Sequence, residues 1–310
     1  MLSRVADNLY WMSRYLERAE HTARLLDVNL DQMLDDAPQA GDLRWRRLLE
    51  GLRIAPPSEH IDLARLIRWL TVDQSNDASI VYCIAAAREN ARQVREQISS
   101  EMWQHLNQLY LQVKRTSKSR LWRTQPHKFF QMVKEGSHLF QGITDATMSH
   151  GEGWQFIQVG RSLERIVQIT LLLDAYYRTQ EELDYLAWVG LLRSCTAFEA
   201  YCQFYTADVQ PHAIAEFLLL NERFPHSVRF CADQLQDELN AVSRAAGVGS
   251  RGRVERLAGR LRASLDYAQV DEIMQDLHPF LNTIHRQCNE VHAAIYSHYI
   301  DYSVDAALSR

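Results

Sequence analysis

The sequence is poor in the residues that turn a chain. Only 12 glycines and 7 prolines occur in 310 residues, which argues against a fold built on many tight turns and favours long helices. Cysteine is sparse: Cys83, Cys195, Cys202, Cys231 and Cys288 form an odd set with no C-x-x-C pair. Single cysteines in apolar company read as small core residues of a reducing compartment, not as a disulfide framework. A basic excess is missing too. Lys and Arg total 34 against 39 Asp and Glu, a net charge of -5, so the field of the whole molecule does not favour nucleic acid. No run of about 18 uncharged apolar residues is present, so no membrane span is expected. The opening MLSRVADNLYWMSRYLERAEH carries charges every few residues and lacks a signal-peptide core. The expectation is a cytosolic protein. G-x-x-x-x-G-K-[ST], G-x-G-x-x-G and G-x-S-x-G are all absent, which removes the common phosphate loops and the nucleophile elbow.

What is present is helical periodicity. Hydrophobic residues make up 46% of the chain and charged residues 24%, ordinary values for a globular protein with ample core material. Val5, Leu9, Met12, Leu16, Ala19, Ala23 and Leu26 recur at helical spacing, predicting a first helix to about Leu34 that Ser3 is placed to cap. Further helices are expected over Ile61 to Val72, Ala78 to about Val113, Pro126 to Met148, Glu182 to Ala207, Pro211 to Leu220, Pro225 to Arg244, Arg251 to Ala268 and Asp271 to Tyr302. Pro279 is expected to kink or interrupt the last. The basic KRTSKSR run, Lys114 to Arg120, reads as a turn or helix end. No alternating strand is found, and the fold class is all-α.

Trp154 to Tyr177, WQFIQVGRSLERIVQITLLLDAYY, is apolar almost all round, as in a helix buried inside a bundle. Arg161, Glu164 and Arg165 nevertheless share one narrow arc of it, and buried charges are costly unless paired. The same pattern opens the chain. YLERAEHTARLLDV, Tyr15 to Val28, aligns with SLERIVQITLLLDA, Ser162 to Ala175. LTVDQSNDASIVYC, ending at Cys83, aligns with LLLNERFPHSVRFC, ending at Cys231. Trp45-x-x-Leu48-Leu49 echoes Trp188-x-x-Leu191-Leu192. Three matches in one order, at a spacing of about 150 residues, predict an internal duplication. The expected architecture is a single multi-helix bundle of two halves, about 1–148 and 149–310, related by a pseudo-two-fold axis.

On the first helix Arg14, Glu17, Arg18 and His21 form one stripe, flanked by Tyr10 and Trp11. Arg161, Glu164, Arg165 and Gln168 repeat it. Pairs at i, i+3 could close within each helix, Arg14 with Glu17 and Arg161 with Glu164. Crossing helices could instead pair Glu17 with Arg165 and Glu164 with Arg18. One reading is a buried ion network that fixes the register of the halves. Another starts from the count: four arginines face two carboxylates, and surplus guanidinium groups invite a bidentate carboxylate or phosphate ligand. Catalysis by Glu17 or Glu164 is a third, weakened by the arginine one turn away, which keeps the carboxylate ionised and weakly basic. Arg88, Asn90 and Arg92 are candidates for a second wall of the same anion-binding groove, against a solvated face as the plainer alternative. No His and carboxylate spacing matches a metal motif, and neither a metal nor a cofactor is expected.

Leu16-Glu17-Arg18-Ala19-Glu20, Leu163-Glu164-Arg165, the Ala87-Arg88-Glu89-Asn90-Ala91-Arg92 run, and Phe217-Leu218-Leu219-Leu220 with Ser227-Val228-Arg229 together resemble the bacterial alpha-E family, an all-helical domain named for its ER motif. The resemblance covers essentially the whole chain. One departure is Asp77-Ala78-Ser79, which lacks the proline that Pro225 supplies in the second copy. The resemblance implies a position beside, or fused to, a circularly permuted ATP-grasp protein and a transglutaminase-like protease. It therefore implies a part in an ATP-dependent peptide or amide-ligation pathway, as accessory subunit or as enzyme. An anionic peptide is the substrate class to expect, and a homodimer is left open.

Overall fold

The computed structural model describes residues 1–33, 40–54, 62–119, 121–178, 183–206, 208–245 and 252–300. Among these every regular element is helical. Helix α1 (Ser3–Gln32) and α8 (Glu152–Tyr177) are the long central pair and pack on each other. Around α1 stand α4 (Ile80–Gln93) and α7 (Pro126–Thr147), and α5 (Ser100–Lys118) packs on both of those. Around α8 stand α12 (Val228–Ala245) and α15 (Leu277–Ile295), with α13 (Arg253–Asp266) packing on both. The short helices exchange sides: α2 (Ala40–Gly51) packs on α8, and α9 (Tyr185–Ser194) packs on α1. The rest are α3 (Leu63–Thr71), α6 (Leu121–Thr124), α10 (Phe198–Tyr205), α11 (Pro211–Leu220) and α14 (Val270–Gln275). Buried apolar side chains from Val5 to Ile295 form one continuous core.

Local chemistry explains the starts and stops. Asp62, Ser79, Ser99 and Asp184 each accept a backbone N–H from the first turn of the helix that follows. Pro126 and Pro211 open α7 and α11, where their missing N–H costs nothing. Several expected boundaries need correction. Ser3 does not cap α1; Leu2 holds that position and provides no side-chain cap. The helix expected from Ala78 to Val113 divides at Val94, passes through one 3-10 turn and restarts at the Ser99 cap. The stretch from Glu182 to Ala207 breaks at Thr196, whose φ of 56° leaves the helical region. The last expected helix breaks at Asp276, so Pro279 falls in the first turn of α15 and kinks nothing. Pro56, Pro57 and the residues from Gly247 to Arg251 lie outside the described residues.

Candidate functional site

Helices α1 and α8 can approach closely because α8 carries Gly160 at the crossing. A Cβ there would collide with the carbonyl oxygen of Tyr10 and with Ser13 Oγ. One turn further along each helix, the charged stripes meet. Arg14 Nε donates to Glu164 Oε2 at 2.7 Å and Arg18 Nε to Glu164 Oε1 at 2.8 Å. In the other direction Arg165 grips Glu17 with two bonds, Nε to Oε1 at 2.6 Å and Nη2 to Oε2 at 3.1 Å. Gln141 of α7 adds a donor to Glu17 Oε2 at 3.3 Å, and Arg165 Nη1 reaches the Pro225 carbonyl at 2.9 Å. The ion pairs therefore run between helices, and the intrahelical Arg14–Glu17 and Arg161–Glu164 pairs do not form. The reason is geometric: the buried face of each helix presents its glutamate to the arginines opposite.

The cluster is dry. Arg14, Glu17, His21, Glu164, Arg165 and Gln168 are all buried. Arg18 keeps 28% of its side chain exposed, and Arg161 of the same stripe is half-buried. Burial alone would raise the pKa of Glu164, but the guanidinium groups of Arg14 and Arg18 outweigh it and hold the carboxyl at about 2. Both of its oxygens are occupied by cations, so it is ionised and a poor base. Arg14 also donates to the Tyr10 hydroxyl at 2.9 Å and lies 4.7 Å from the Trp11 ring centroid. Tyr10 in turn bonds His292 Nδ1 at 2.8 Å, and burial pushes its hydroxyl up to about 12.

Arg161 is the arginine that differs. It donates to Gln158 of its own helix and forms no ion pair with a described residue. Burial, followed by the charge of Arg165, lowers its pKa. Gln158 passes the contact on to Asp145 at 3.2 Å. Arg88 and Arg92 on α4 are engaged elsewhere. Arg88 donates to Asn107 at 3.2 Å and lies over the Trp103 and Tyr110 rings of α5. Arg92 is exposed and paired with Glu89 on the same helix, and Asn90 is half-buried beside them. The contacts of Arg88 and Arg92 are thus with α5 and with Glu89, and neither pairs with Glu17 or Glu164.

A neighbouring group escaped the sequence reading. Glu20 is buried and pairs with Arg24, while His138 approaches the same carboxylate at 3.5 Å. His226 contributes charge interaction with Glu20, Arg24 and Arg165. Glu20 and Arg24 stand at i, i+4, a spacing at which charges pair on one helix face, and this much is legible in the sequence. The histidines arrive from α7 and from the turn before α12, which no spacing reveals. His21 is buried with no partner for Nε2, and burial lowers its pKa to about 4. Burial likewise pushes the thiols of Cys83, Cys195, Cys231 and Cys288 up to about 12, which removes them as nucleophiles. Among the described residues no group of three or more His, Cys, Asp or Glu side chains is arranged to hold a metal. None of the described helices is long and apolar enough to cross a membrane.

A family profile described as a predicted alpha-helical domain with a conserved ER motif matches residues 1–300. The chain belongs to the Alpha-E family. The Glu-Arg pairs joining α1 and α8 give that motif a physical setting in this member. Among curated proteins, an uncharacterized protein of Mycobacterium bovis is 25% identical over 93% of this chain. An uncharacterized protein of Mycobacterium tuberculosis is 24% identical over the same share. In both, the matching stretch is 36% of the relative, so the chain spans about a third of their length. No solved structure matches.

Proposed function

We propose that this Alpha-E chain is a non-catalytic helical partner of an ATP-grasp ligase in a peptide or amide-bond modification system that also includes a transglutaminase-like protease. The observation that carries the non-catalytic part is the state of Glu164: ionised, with one arginine on each oxygen. A carboxylate so held braces two helices and does not move protons at neutral pH. The partnership rests on family membership and on the architecture of the mycobacterial relatives, which carry the match as about a third of a longer chain. Such a module works beside other domains. Anion recognition at the cluster narrows to Arg18, with 28% of its side chain exposed, and Arg161, which forms no ion pair with a described residue.

The test is co-expression with the ATP-grasp protein and size-exclusion chromatography of the mixture. Co-elution, and ligation that falls when this chain is omitted or carries Arg18→Leu, is the expected result. Separate elution with unchanged ligation would remove the proposal. The enzymatic alternative, with Glu17 or Glu164 as proton carrier, requires Glu164→Gln to abolish turnover at unchanged stability.

The two halves, about 1–148 and 149–310, are read as copies about a pseudo-two-fold axis. Support comes from contacts that repeat at matching positions. Cys83 Sγ donates to the Asp77 carbonyl and Cys231 Sγ to the Pro225 carbonyl, each at 3.4 Å. Ser79 Oγ donates to the Asp73 carbonyl and Ser227 Oγ to the Asn221 carbonyl. The exchange of α2 and α9 across the centre supports intertwined halves. Halves expressed separately should associate one to one; two stably folded monomers that ignore each other would argue against intertwining.

A further inference from the structure

The Leu-Glu-Arg cluster satisfies most of its own cations, yet a second set of cations forms no ion pair among the described residues. A cleft of about 710 Å³ opens between α3, the C-terminal end of α5, and α6. Arg65 and Arg68 line it from α3, and Lys118 and Arg123 from the opposite side. All four are exposed, no carboxylate is on the walls, and none of the four side chains forms an ion pair with a described residue. The floor is apolar: Leu30, Ile67, Val72, Trp122 and Pro126 are each half-buried. In a chain of net charge -5, four cations that form no ion pair among the described residues, set around one apolar trough, are a local inversion of sign.

We propose that this cleft binds an acidic peptide segment that carries an apolar or aromatic anchor. Cations on both sides of an apolar floor match a ligand with carboxylates flanking a hydrophobic side chain. In an extended peptide, successive side chains point to opposite faces, so when an apolar residue enters the floor its acidic neighbours point outward to the rim, where the long, exposed Arg and Lys side chains can meet them. Arg65 and Arg68, at i, i+3, lie on one helix face and offer paired guanidinium groups to carboxylates. Trp122 provides a large aromatic surface for the anchor, the residue type that dominates peptide hot spots. A ligand with a single carboxylate would leave most of the cations uncompensated. The surface is separate from the Glu17 and Glu164 cluster, and the inference does not require the ATP-grasp assignment.

The test uses the full chain and a fluorescein-labelled synthetic peptide of alternating Glu and Leu with one central Phe, read by anisotropy. The same peptide with Gln for Glu is the uncharged comparison. Binding of the Glu peptide only, weakening as salt rises, is the expected result. Arg65→Glu with Arg68→Glu should weaken binding about tenfold or more, and Trp122→Ala should weaken it at any salt concentration. Arg260→Glu on α13 should leave it unchanged. All of these are exposed or half-buried positions, and circular dichroism checks that each variant folds. Equal binding of the Gln peptide, indifference to the Arg65 and Arg68 reversal, or an equal loss in Arg260→Glu would overturn the proposal. So would a nucleoside triphosphate that binds more tightly and displaces the peptide through the same residues, because the cleft would then be a phosphate site.

Discussion

Replacing Glu164 by Gln keeps the shape of the side chain and removes its charge. It leaves Arg14, with 11% of its side chain exposed, and Arg18, with 28% exposed, without their anion. Removing one partner of a buried ion pair costs about 3–5 kcal/mol. Arg18 recovers part of its hydration, so the lower end applies, about 3 kcal/mol at pH 7. For a chain of 310 residues that corresponds to a fall in Tm of about 5 °C. Urea titration followed by far-UV circular dichroism measures it directly. The pH dependence supplies an independent check. The folded pKa of Glu164 is held at about 2, below its ordinary 4.5, by Arg14 and Arg18 against the opposing effect of burial. The stability it contributes is therefore present above about pH 4.5 and is lost as pH falls toward 2. The gap between the native chain and Glu164→Gln should narrow over that window. A loss under about 1 kcal/mol at pH 7, or a gap that stays constant as pH falls from 4.5 to 3, would refute the brace.

Other outcomes follow from the same geometry. His21 is buried with its pKa lowered to about 4 from 6.5, so the stability it contributes is present above pH 6.5 and is lost as pH falls to 4. His21→Gln, the residue at the matching position 168, should flatten urea-midpoint profiles between those values. Gly160→Ala places a methyl against the Tyr10 carbonyl and should cost about 1–3 kcal/mol by separating α1 from α8; an unchanged Tm would mean that the crossing is looser than described. Thiol titration of the native protein should label half-buried Cys202 first. The other four, buried and with raised pKa values, should react only on unfolding.

The repeated Leu-Glu-Arg stripe, the scarcity of glycine and proline, and the apolar Trp154 to Tyr177 stretch are local facts of spacing. They were sufficient for the all-helical class and for singling out Arg14, Glu17, Arg18, Arg161, Glu164 and Arg165. Helix breaks without glycine or proline were not legible. Val94, Thr196 and Asp276 interrupt otherwise helical patterns because the chain must turn to pack α5, α10 and α15, a tertiary demand that overrides weak local propensity.

Sequence alone determined which residues are charged on a buried face, because burial periodicity and charge are both properties of the helix itself. Which charges neutralise which was decided only in three dimensions. Within each helix Arg14 and Glu17 have the right spacing to pair, but the Gly160 crossing brings the opposite helix closer and gives Glu164 two arginines and Glu17 one. The histidines beside Tyr10 and Glu20 come from segments that no sequence spacing connects. The same holds for the basic cleft. Arg65 and Arg68 are distant in sequence from Lys118 and Arg123, and only the fold, which sets α3 across a cleft from α6 and the end of α5, places them around one apolar floor. Pairing depends on which surfaces meet, and that is a property of the packed fold, not of any one helix.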